Sequence, residues 1–199
     1  MKKTKISLFI LTLLILLGTV SQAGVYEYFP DVPPDANYAE QINFIAELEI
    51  VKGDEQDNFN PDKTITRAEF ATIMCRLLGA EDEAYKITKS SFTDVPSTHW
   101  ACGYVTKAVE LGIVSGYGDG KFGPSDTLTY EQAVTILIRA WGYNDKALEQ
   151  GGYPAGYVKV ANDLGITKNT TVSDKAVLRG IVAVLIYNIL FIDTAEMAY

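Results

Sequence analysis

The chain repeats itself. Sliding the sequence by 63 positions lays Phe29-Pro30-Asp31-Val32-Pro33 on Phe92-Thr93-Asp94-Val95-Pro96. Without a gap, the same offset lays Ile50-Val51-Lys52-Gly53 on Ile113-Val114-Ser115-Gly116, Phe59-Asn60-Pro61 on Phe122-Gly123-Pro124, and Thr64-Ile65-Thr66 on Thr127-Leu128-Thr129. Residues 29–79 match their counterparts at 17 of 51 positions, where ordinary composition gives roughly three. A weaker third copy follows. Tyr153, Tyr157, Val158, Ala161, Leu164, Gly165 and Ile166 fall 53 positions after Trp100, Tyr104, Val105, Ala108, Leu111, Gly112 and Ile113, and from Val177 onward the offset to the second copy drops to 49. The third copy has therefore lost four loop residues and its Phe-x-Pro. A unit of about 50 residues cannot bury enough surface to be stable alone, so a chain built this way must stack its copies on a shared core.

Within each copy the apolar period is helical. Trp100, Ala101, Tyr104, Val105, Ala108 and Leu111 recur at spacings of three and four, as do Phe70, Ile73, Met74, Leu77 and Leu78, so each unit reads as helix, loop, helix. The fold class expected is all-α. Gly112 falls where the first helix must end with a positive φ, and Glu49 is its counterpart in the first copy. Ile181 to Leu190 is apolar on nearly every side and reads as a helix buried between neighbours, too short to span a bilayer. Residues 81–91 and 144–151 break the periodicity and read as linkers.

Ahead of the copies, Lys2, Lys3 and Lys5 precede an uncharged apolar run from Ile6 to Leu17, and Ser21-Gln22-Ala23 supplies small residues at the −3 and −1 positions. This is the grammar of a secretory signal peptide, residues 1–23. No Cys follows the run, so nothing marks a lipoprotein. The net charge of −8 becomes three units more negative once those lysines are removed, which argues against nucleic acid, since phosphate binding needs clustered Lys and Arg. Two cysteines are too few for a disulfide framework or a four-ligand zinc site, and one histidine leaves little for a metal or catalytic centre. Cys75 and Cys102 are expected to be buried free thiols, and no cofactor or metal is expected.

Thr66-Arg67-Ala68-Glu69 follows a Pro-containing loop and opens an apolar run, the place for a capping box in which Thr66 and Glu69 satisfy each other's amides. Thr129-Tyr130-Glu131-Gln132 repeats the pattern. Arg67 does not fit that purpose, because a cation in the first turn opposes the helix macrodipole. Two readings stand at equal weight: an anion site made of the guanidinium and free helix-N-terminal amides, or a salt bridge to a surface carboxylate.

FTDVPSTHWA, GIVSGYGDGKFGP and ITRAEF, in tandem after a signal peptide, resemble the S-layer homology (SLH) repeats of bacterial cell-surface proteins. The resemblance covers residues 29–190 and divides the chain into repeats at 29–80, 92–143 and 152–191, the last degenerate. It implies a pseudo-threefold helical bundle that binds secondary cell wall polysaccharide attached to peptidoglycan, often through a pyruvate ketal on a terminal sugar. It further implies a non-enzymatic anchor at the surface of a bacterium, Gram-positive by this reading, with S-layer assembly partners and no membrane contact after signal cleavage. Carried onto this sequence, the glycan-binding residues are Arg67, Thr66, Glu69, Gly53, Trp100, Gly116 and Arg179, with Trp100 supplying a surface on which sugar stacks beside Arg67. Tyr130 stands where the second repeat should have its arginine, and the third keeps only Arg179 of its motif, so at most two guanidinium sites survive.

Other readings are weaker. Gly118-Asp119-Gly120-Lys121-Phe122-Gly123 spells G-x-G-x-x-G, but a helix precedes it and Pro124 follows, so turn chemistry explains the glycines. Asp54, Glu55 and Asp57 lack the calcium-loop spacing. Asp94 and Glu110 could be imagined as a glycosidase pair, yet Asp31 and Glu47 match them in the first copy, which favours structural roles. The alternatives to a free-standing anchor are the anchoring fragment of a larger secreted wall or polysaccharide-degrading enzyme and a protein-binding surface adaptor.

Overall fold

Two of the three second helices of the pattern start at a built cap, and the third, after Leu178, has none. Thr66 Oγ1 accepts from the Glu69 amide at 3.2 Å, and Glu69 Oε2 accepts from the Thr66 amide at 2.8 Å. Thr129 and Gln132 repeat the exchange at 3.3 and 3.1 Å. The computed structural model describes residues 29–171 and 176–194; the expected signal peptide lies outside them. Among the described residues there are eight helices and no strand: α1 (Ala39–Glu47), α2 (Arg67–Leu77), α3 (Glu81–Tyr85), α4 (Cys102–Glu110), α5 (Tyr130–Ala140), α6 (Asn144–Glu149), α7 (Ala155–Asp163) and α8 (Arg179–Ile189). The chain is all-α, as its periodicity requires.

The first helices end alike. Glu49, Gly112 and Gly165 have φ of 57°, 72° and 81°, which reverses the chain after α1, α4 and α7. Glu49 holds this left-handed conformation without the freedom of a glycine.

The helices do not pack within their own pairs. α4 packs on α2 and α7 on α5, so each first helix lies against the second helix of the pair before it, and α1 closes the ring on α8. At the centre, three short segments bridge one another in a cycle, Thr64 with Leu178, Thr127 with Thr66, and Ala176 with Thr129. The amide of Leu128 donates to Ile65 O at 3.1 Å, that of Ile65 to Val177 O at 3.2 Å, and that of Val177 to Leu128 O at 2.7 Å. The side chains of these three residues are buried on the axis. Three backbone amides that no helix uses are thereby satisfied by one another. α8 fits the expectation of a buried helix: Val182, Ala183, Leu185, Ile186 and Ile189 have almost no exposure.

The segments read as linkers are partly helical. α3 and α6 lie inside residues 81–91 and 144–151, and each presses a buried alanine, Ala84 or Ala147, onto the start of the next helix. The contact is so close that a Cβ on Gly103 would come 2.0 Å from Ala84 O, and one on Gly156 would come 2.1 Å from Ala147 O. Polarity broke the periodicity because a short surface helix buries one residue only.

Cys75 and Cys102 are buried and unpaired, and Cys75 Sγ donates to Tyr104 O at 3.4 Å. Burial pushes the Cys75 thiol up to about 12, Lys107 opposing only in part. Thiolate is then negligible at pH 8. Neither cysteine should react with a water-soluble aromatic disulfide reagent at pH 8 in the native protein, and both should react in denaturant; fast native labelling would contradict the packing.

Candidate functional site

Because the ring is offset by one pair, each arginine reaches into a loop of another copy. The Arg67 guanidinium donates from Nε to Phe122 O at 2.9 Å and from an Nη to Ser115 O at 2.8 Å, and it lies 4.5 and 4.8 Å from the ring centroids of Phe122 and Tyr117. Arg179 makes the equivalent contacts in the first copy's loop, to Phe59 O at 2.9 Å and Lys52 O at 3.5 Å, over the Phe59 ring at 4.8 Å. Burial lowers the Arg179 pKa, while Glu69, Asp31 and Asp54 pull it back; a guanidinium stays protonated regardless.

The loops that receive these arginines are tied down by the Asp of each F-x-D-V-P. Asp94 accepts from the amides of Phe122 and Gly123 at 2.9 and 2.8 Å, and Asp31 from those of Phe59 and Asn60 at 2.7 and 2.6 Å. Burial acts to raise the Asp94 pKa, but those amides outweigh it and hold it below the usual carboxylate range. Gly123 and Asn60 carry the positive φ, 71° and 58°, at which the Phe carbonyl turns toward the arginine.

Two grooves result. Arg67 lines the first, a cavity of about 250 Å³. Its walls include Ser115 from the loop, Gln132, Thr135 and Arg139 from α5, and Tyr153 at the start of the next pair. Two of Arg67's five N–H donors are taken by carbonyls; the others have no acceptor among the described residues. The second groove, about 130 Å³, is lined by Arg179 with Lys52, Gly53, Asp54, Lys63 and Glu69. At the third position both arginines are gone. Tyr130 bonds Thr170 Oγ1 at 2.8 Å, and Asn188 Nδ2 donates to Ile166 O and Lys168 O at 2.9 and 2.8 Å, so these side chains are tied to the third copy's own loop.

The structure separates residues that adjoin in sequence. Gly53 goes to the second groove with Arg179, whereas Arg67 crosses to the loop of Ser115 and Gly116. Gly116 is required by packing, since a Cβ there would come 2.4 Å from the Phe92 ring and 2.6 Å from Lys121 O. Thr66 and Glu69 form the cap, and Glu69 also lines the second groove. The exposed aromatic in the wall of the Arg67 cavity is Tyr153 rather than Trp100, which is 61% exposed and stacked on its neighbour His99. Nor are the first amides of α2 free. Those of Arg67 and Ala68 donate to Asp126 O and Pro124 O at 2.9 and 3.1 Å, so the helix N-terminus holds the neighbouring loop.

The S-layer homology domain matches residues 28–71 and 91–134. Two stretches of this chain thus match that domain. A cell surface protein of Thermoanaerobacter kivui is 38% identical over 153 residues, covering 76% of this chain and 19% of that protein. The middle cell wall protein of Brevibacillus brevis is 36% identical over 164 residues, 81% of this chain and 15% of that one. An amylopullulanase of Thermoanaerobacterium thermosulfurigenes is 36% identical over 126 residues, 61% of this chain and 6% of the enzyme. The chain thus spans less than a fifth of the length of each of these relatives.

Sequence reasoning missed Gln132, Thr135 and Arg139 in the wall of the S-layer homology groove. A signal was available: Thr72 and Arg76 recur as Thr135 and Arg139, polar identities on an otherwise apolar helix.

Proposed function

We propose that these repeats hold a secreted protein at the bacterial cell wall without a covalent bond, by gripping an anionic secondary cell wall polysaccharide, with a pyruvate ketal as the anionic group. One observation carries the reading: Arg67 is held rigid by two carbonyls and two aromatic rings, with its remaining donors at a cavity beside exposed Tyr153. A preorganised guanidinium binds a carboxylate at little entropic cost, and an exposed ring offers a sugar a stacking surface. In an acidic chain that repels polyanions at long range, affinity must come from such short-range contacts. Arg179, Gly53 and Glu69 form a second, smaller site, with Trp100 at the register position that Tyr153 holds in the first.

Residues 152–191 are, in this reading, a third S-layer homology repeat that completes the ring and lacks the groove arginine of the other two sites. Residues 1–23 direct export, and the bacterium is Gram-positive. Intrinsic catalysis has no support, since Asp94 is committed to two loop amides and Glu110 lies 3.7 Å from Lys107. The amylopullulanase relative favours a second version, in which the same anchor carries an enzyme elsewhere in a longer chain. Calorimetry with a pyruvylated disaccharide tests the common core of both: the protein should bind it, and removing the pyruvate should abolish binding. Equal affinity for the two sugars would contradict the proposal.

A further inference from the structure

Two acid-to-amide differences between the copies leave the first groove without a carboxylate in its wall. On α2, Arg76 Nε donates to Glu81 Oε1 at 2.9 Å, and the same carboxylate accepts from Tyr104 Oη at 2.7 Å. At the position equivalent to Glu81 the next copy has Asn144, whose Oδ1 accepts from Tyr157 Oη at 2.6 Å. The tyrosine contact is kept and the counter-charge is gone. Arg139, the equivalent of Arg76, lies 5.5 Å over the Tyr157 ring, pairs with no carboxylate among the described residues, and lines the same cavity as Arg67. The second difference is Gln132, which replaces Glu69 as the capping partner and in the groove wall.

Thr135 supplies an independent sign that something polar belongs there. Its counterpart Thr72 donates to Ala68 O, one turn back in its own helix, at 2.9 Å. Thr135 lines the first cavity, is only 5% exposed, and its hydroxyl has no partner among the described residues. A buried hydroxyl without a partner is costly unless a ligand or water completes it. Two guanidinium groups facing one cavity without a carboxylate in its wall likewise repel each other until an anion arrives.

We propose that Arg139 is a second anion-binding arginine of the first groove, set free by Asn144, and that the first groove therefore grips its acidic sugar with two guanidinium groups while Thr135 bonds a sugar oxygen. The second groove offers one, because Glu81 holds Arg76. This rests on the glycan-binding reading above. Calorimetry with a pyruvylated monosaccharide on the whole protein tests it with Arg139→Ala and Asn144→Glu. Each should weaken the tighter site about tenfold or more, the range for a charge-assisted hydrogen bond. Asn144→Glu leaves Arg139 in place and adds an ion pair of the Arg76–Glu81 kind, so its melting temperature should not fall; a binding loss in a fully folded protein then reports neutralisation. The double variant should bind no more weakly than Arg139→Ala alone, because the added carboxylate then has no arginine to mask. If the wild type binds and either single variant binds as tightly, this inference is overturned and the glycan reading stands. If the wild type does not bind the sugar, both are overturned.

Discussion

A chain ending at Gly142, which keeps both matched S-layer homology domains whole, is expected not to fold. The reason is the offset packing. α1 buries Ile42 and Ile45 in the core and has α8 as its partner, while α5 loses α7. Removing the third pair also takes away Val182, Leu185, Ile186 and Ile189, each worth about 1.5–3 kcal/mol of burial, or about 6–12 kcal/mol together. That equals the whole stability of an ordinary domain, about 5–15 kcal/mol. The axis fails too, because Ile65 N would lose Val177 O and Leu128 O would lose its donor. Far-UV circular dichroism with urea should show little helix and no cooperative transition for the truncated chain. A sigmoidal transition with a steep denaturant slope would show that two copies can close a core alone, and would contradict the ring.

The second large effect is at Arg67, where structure and ligand binding are coupled. Arg67→Ala should destabilise the protein by about 2–4 kcal/mol, because a charged hydrogen bond contributes about 1.5–3 and the Phe122 and Ser115 carbonyls are left without a donor. The loop over residues 115–126 should loosen, and glycan affinity should fall about ten- to a hundredfold, the worth of one such bond in a sheltered site. Arg67→Lys separates the two effects. An ammonium can keep the charge and satisfy one carbonyl, but it cannot hold both and still present donors to the cavity, since it lacks the planar fork. It should recover more than half of the lost stability and little of the affinity. A lysine variant that binds like wild type would mean that the groove needs charge only.

The motifs made the helical grammar legible, and their recurrence revealed the duplication before any geometry. Capping by Thr66 and Glu69 could be read because it is local, as could the φ at Gly112. What could not be read was which helix meets which. A 3.6-residue stripe says that a face is buried but not against what, so nothing in residues 39–47 points to α8 more than to α2. The same gap hid the site. Arg67 was recognised as out of place, but its acceptors, Ser115 and Phe122, lie in another copy, and the amides assumed to be free are taken by Pro124 and Asp126. The linkers were misread because α3 and α6 bury one alanine each. The pairs Ala84 with Ala147 and Gly103 with Gly156 recur at the repeat offsets and were the available sign. Arg139 was missed for a subtler reason: it is the same residue as Arg76, and only the change from Glu81 to Asn144, at the start of the following short helix, alters what it does.

If an arginine-lined groove ties this protein to an acidic wall glycan, attachment depends on the glycan's carboxylate. Co-sedimentation of residues 24–199 with purified cell wall sacculi, before and after chemical removal of pyruvate, tests it most directly. The protein should pellet with intact sacculi, be released by urea, and stay in the supernatant once pyruvate is gone. Undiminished pelleting with depyruvylated sacculi would contradict it.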